Sequence, residues 1–98
     1  MASDHRQTAQ TLIETIVSRL RNHADPAAVA PLIEECESLV SAIGAFHMEG
    51  IRFRMFNVDR LLARGDFGAG PEVRSLFADA RRELEAAGFH TRSHQAPG

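Results

Sequence analysis

The sequence predicts an all-α domain built on one long central helix, and three observations carry that expectation. Apolar residues recur at three- and four-residue steps along most of the chain. No segment alternates apolar and polar residues with β-branched enrichment, and there is no tyrosine or tryptophan to favour a strand. Ninety-eight residues at 44% hydrophobic suit a single domain with one core, too short for two.

In the first helix, predicted over residues 4–22, Ala9, Leu12, Ile13, Ile16, Val17 and Leu20 form one stripe, with Ser3 or Asp4 in position to cap its first turn. Asp25-Pro26 and Pro31 then punctuate a short connection, because proline suits a helix's first turn and breaks its interior. A second helix is predicted over 31–64. Its stripe runs through Leu32, Ile33, Cys36, Leu39, Val40, Ile43, His47, Gly50, Ile51, Arg54, Val58, Leu61 and Leu62. Gly44 and Gly50 are its weak points, each costing about 1 kcal/mol relative to alanine. A break there would give four helices, but the stripe keeps its phase across both glycines and favours continuity. Residues 65–71 are read as a loop in which glycine closes one helix and Pro71 opens the next. The third helix, over 71–87, turns Val73, Leu76, Phe77, Ala80 and Leu84 inward, and Gly88 is its stop. The helical domain spans 1–89, and 90–98, without periodicity, is expected to be a flexible tail.

A continuous second helix predicts a homodimeric helical bundle. At 1.5 Å per residue it would extend about 51 Å, far beyond what a compact chain of this size encloses. The shorter helices would fold back antiparallel over its two halves, and a second copy would cover the remaining apolar stripe. Crossing of two central helices near residue 47 would set Ile33 against Leu61, Cys36 against Val58, Ile43 against Ile51, and Glu34 against Arg60 of the other copy. The expected interface is therefore Ile33, Cys36, Val40, Ile43, His47, Gly50, Ile51, Arg54, Val58 and Leu61. Charge agrees with this direction: residues 1–50 hold seven acids and three arginines, residues 51–98 six acids and eight arginines.

A net charge of −2 gives no electrostatic case for nucleic-acid or membrane binding. All eleven basic residues are arginine, which points to a GC-rich bacterial genome before it points to phosphate recognition. The first residues carry no apolar targeting segment and no run is long enough to span a membrane, so a cytoplasmic location is expected. One cysteine excludes an intramolecular disulfide.

Two polar residues on the stripe stand out. His47 lies at its centre, where two copies could bind a metal or sense pH, although a hydrogen-bonded structural histidine is the more economical reading. Arg54 needs a carboxylate or an anion if buried. Met48 and Met55 add thioethers nearby, which usually means packing. Phe56, with Arg52, faces away from the stripe and forms a candidate exposed partner site. No catalytic triad, Glu-x-x-His pair, Walker lysine or Rossmann glycine pattern is present, and no cofactor is expected. The residues favour a non-enzymatic homodimer that serves as a protein-interaction or regulatory module, with itself and another protein as partners. The alternative is a sensory bundle holding a small ligand, metal or haem around His47 and Arg54.

Overall fold

The structure, a computed structural model, describes residues 4–64, 70–89 and 91, with α-helices and no strand among them. Helix α1 spans His5–Arg21 and is capped by Asp4, whose carboxylate accepts the Gln7 N–H at 3.2 Å. Ala9, Ile13, Ile16 and Leu20 form its buried stripe. A 3₁₀ turn, Pro26–Val29, leads into α2, Ala30–Gly44, with Pro31 in its first turn. Helices α3, Met48–Arg64, and α4, Gly70–Ala86, complete the fold. Residues 65–69, most of the expected loop, lie outside the described residues.

The expected helix over 31–64 is therefore two helices, and the cause lies in three residues. At the end of α2 the His47 N–H donates to the Ala42 carbonyl at 3.0 Å and the Phe46 N–H to the Ile43 carbonyl at 3.1 Å. This pair of bonds is the Schellman stop, and it places Phe46 in the left-handed region at φ 57°. The next helix starts at once. His47 caps α3, its Nδ1 accepting the Gly50 N–H at 2.8 Å, while its carbonyl accepts the Ile51 N–H at 2.9 Å. Neither glycine is the break itself. Gly50 makes room for the cap, since a Cβ there would lie 2.4 Å from His47 Nδ1.

With the corner in place, one chain encloses its own stripe. Helix α1 packs against α2 and α4, and α2 packs against α1 and α3. The core joins Ile13, Ile16 and Leu20 to Leu32, Leu39 and Ile43, to Ile51, Met55 and Val58, and to Phe77 and Leu84. The radius of gyration is 13.0 Å, the value expected for a compact chain of this length. Arg6 braces the corner from α1, donating to the Ile43 carbonyl at 3.4 Å and lying over the Phe46 ring at 4.3 Å from its centroid.

Helix α4 ends in the same stop with the residue the conformation prefers. Gly88 has φ 97°, and the Phe89 N–H donates to the Leu84 carbonyl at 2.9 Å. Of the expected tail, His90 and residues 92–98 lie outside the described residues. Thr91, the described residue of that stretch, is buried, and its carbonyl and hydroxyl both accept from Arg81. Arg81 also pairs with Asp59, and Arg74 donates to the Leu62 carbonyl at 2.7 Å, so arginines of α4 hold α3.

Candidate functional site

The residues expected at a dimer interface are divided by this fold. Cys36, Ile43, Ile51 and Val58 are fully buried within the single chain, as is Met55. Ile33, Val40 and Leu61 are half-buried against the same core. The fully buried ones have no surface to offer a second copy. The corner explains it physically: a stripe symmetric about residue 47 is also the signature of a helical hairpin closed near that residue. Glu35 accepts from Asn57 at 3.1 Å and pairs with Arg54 at 3.2 Å, and Glu34 lines the same groove as Arg60. The stripe expected to meet a second copy is instead packed between α2 and α3 of one chain.

The two polar residues singled out from the stripe sit at its edge. His47 is exposed, not enclosed at a centre, and its ring is committed to the α3 cap through Nδ1. Arg54 is half-buried and satisfied by Glu35, the structural ion pair that a guanidinium beside a core requires. Met48 is exposed on α3's first turn while Met55 is in the core, so the four residues expected to line one site do not assemble. His47 and Arg54 do share an open groove of about 640 Å³ between α2 and α3, walled by Ser41, Ala42 and Gly50. Among the described residues, no group of three or more histidine, cysteine or acidic side chains is placed to hold a metal ion.

Cys36 is chemically quiet. Burial, reinforced by the neighbouring Glu35 and Glu37 charges, pushes its thiol up to about 12, so the nucleophilic thiolate is scarce at neutral pH.

What the surface does carry is aromatic. Phe46, Phe53 and Phe56 are 63%, 55% and 39% exposed, with Met48 at 42%. Phe53 and Phe56 belong to α3's outward face, where Glu49, Phe53, Phe56 and Arg60 are all exposed. Counting helical steps from buried Ile51, Met55 and Val58 puts these four on the opposite side. Phe56 was legible from the sequence as an outward residue. Phe53 adds to the aromatic surface of the same helix but falls outside the expected partner site, because the stripe was drawn through Arg54 and not through Met55, rotating the assumed core face. Arg52, expected beside Phe56, is half-buried and pairs with Glu49 at 2.7 Å.

No family model, curated protein or solved structure matches the chain. No helix among the described residues is long and apolar enough to cross a membrane. The class that fold and surface define, among the described residues, is an all-α domain of four α-helices with an aromatic outer face on its third helix.

Proposed function

We propose that this chain is a non-enzymatic protein-interaction module that self-associates through the outward face of α3. One observation carries the reading: Phe53 and Phe56 stand adjacent and exposed on a helix whose opposite face already supplies the core. Two neighbouring aromatic rings in water are costly unless something covers them, and aromatic residues dominate the energetics of interfaces. The occupant that fits is a second copy, since the same face holds an acid at one end and an arginine at the other and so carries its own complement. The one thiol, buried and held protonated, is in keeping with a packing role for Cys36.

Sedimentation equilibrium over a wide concentration range tests this. The wild-type chain is expected to shift from monomer to dimer, whereas Phe53→Ser with Phe56→Ser stays monomeric at unchanged helicity. A wild type that remains monomeric throughout overturns the reading. A ligand-binding alternative keeps one supporting observation, the groove shared by His47 and Arg54. It requires that phosphate, haem or a transition metal raise the melting temperature of the wild type and not of His47→Ala.

A further inference from the structure

Resting on that self-association, we infer that two copies pair antiparallel along α3, with Phe53 level with the partner's Phe56 and Glu49 level with the partner's Arg60. The outward residues Glu49, Phe53, Phe56 and Arg60 are spaced by four, three and four positions, all exposed. That spacing is the same from either end. A two-fold axis crossing α3 between residues 54 and 55 therefore lays the face on itself, as an interface between identical copies requires.

Charge chooses the direction. Antiparallel pairing sets Glu49 opposite Arg60 twice, whereas parallel pairing stacks Glu49 on Glu49 and Arg60 on Arg60, which costs energy at both ends. The centre is then a cluster of four phenylalanine rings, close enough for offset or edge-to-face packing. Its rim is already prepared: the Arg60 guanidinium lies 5.7 Å from the Phe56 centroid and the Arg54 guanidinium 5.2 Å from that of Phe53. Beside Phe53, α2 and its C-cap present Ser38, Ser41, Ala42 and Ala45 along the groove, side chains short enough to leave a second helix room to settle. From Glu49 to Arg60 the face is about 16 Å long. One helix pair of that length buries less than the roughly 1,200 Å² of a standard interface, so the dimer exchanges with monomer instead of being obligate.

Two single variants test the direction. Glu49→Arg and Arg60→Glu each place like charges at both ends of an antiparallel pair, and each is expected to weaken self-association about tenfold. An equimolar mixture restores it, because in the heterodimer both ends are again oppositely charged. Circular dichroism of each variant confirms that the helices persist. Cysteines give a second readout that needs no charge reversal. In a Cys36→Ser background, Glu49→Cys mixed with Arg60→Cys is expected to form the 49–60 disulfide between chains, while either variant alone oxidises slowly. Single charge variants that associate like wild type, or 49–49 and 60–60 disulfides in place of 49–60, overturn the antiparallel pairing and leave self-association standing. A wild type that never associates removes both.

Discussion

Three individual residues hold conformations or ionisation states that the rest of the chain must support. Phe46 is a bulky side chain in the left-handed region, at φ 57°, a placement that costs a non-glycine residue about 1 kcal/mol. Phe46→Gly is expected to raise the melting temperature by a few degrees, the strain relief exceeding the loss of the exposed Arg6 stacking. Gly88→Ala, at φ 97°, should act in the opposite sense and lower stability by about 1 kcal/mol in a denaturant titration. Cys36 supplies a pH signature. Its thiol is raised from 9.0 to about 12 in the folded chain, so between those values the unfolded state has released a proton that the native state keeps. Stability from this group is complete below pH 9 and is lost as pH climbs toward 12. The chain has no lysine or tyrosine to titrate in that window, so Cys36→Ala should visibly flatten the fall in stability over this range.

At the scale of elements, the corner between α2 and α3 decides the architecture. His47→Ala removes the ring that accepts the Gly50 N–H and should cost about 1 kcal/mol, while His47→Asn, which keeps a capping acceptor, should cost little. Gly50→Ala tests the same contact from the other side. Alanine favours helix, yet its Cβ collides with the His47 ring, so urea denaturation should show a loss and not the usual gain. Both ends of α1, most of α4 and the outer ends of α2 and α3 were legible in the sequence, because caps, prolines and apolar steps all agreed there. The corner was not. Its Schellman stop uses phenylalanine where glycine is the expected signal, and its cap uses histidine, outside the serine, threonine, aspartate and asparagine group that marks a helix start. The apolar phase also survives the corner, since a helix folded back on itself needs the same symmetric stripe as a straight one paired with a copy. The candidate site followed suit: the core face of α3 was rotated from Met55 toward Arg54, leaving Phe53 out of the expected partner site.

For the molecule as a whole, the corner changes what a second copy is for. A straight helix over 31–64 would have needed a partner to complete its core. The folded chain, with extents of 37 × 36 × 22 Å, completes its core alone, and the self-association proposed above would be confined to α3's outer face. Stability and self-association should then be separable. Phe53→Ser with Phe56→Ser is expected to abolish dimerisation while leaving the concentration-independent part of the melting temperature within about 2 °C of wild type, because exposed side chains away from caps and core contribute little to folding. Arg81→Ala should show the converse. It removes the ties from α4 to Asp59 and to Thr91, so it should lower the melting temperature and speed hydrogen exchange in α4 while the dimer constant measured below that temperature is unchanged.

The packing of α1 against α4 has a consequence for how the protein is made. A ribosome releases α1 well before α4, yet these two helices cover one another, and His5 at the start of α1 reaches Glu83 near the end of α4 at 2.6 Å. During synthesis α1 can close against α2 as soon as α2 emerges, but the side it gives to α4 stays wet until α4 has been made. A ribosome stalled within α4 would thus hold a chain with the α4-facing flank of α1 open.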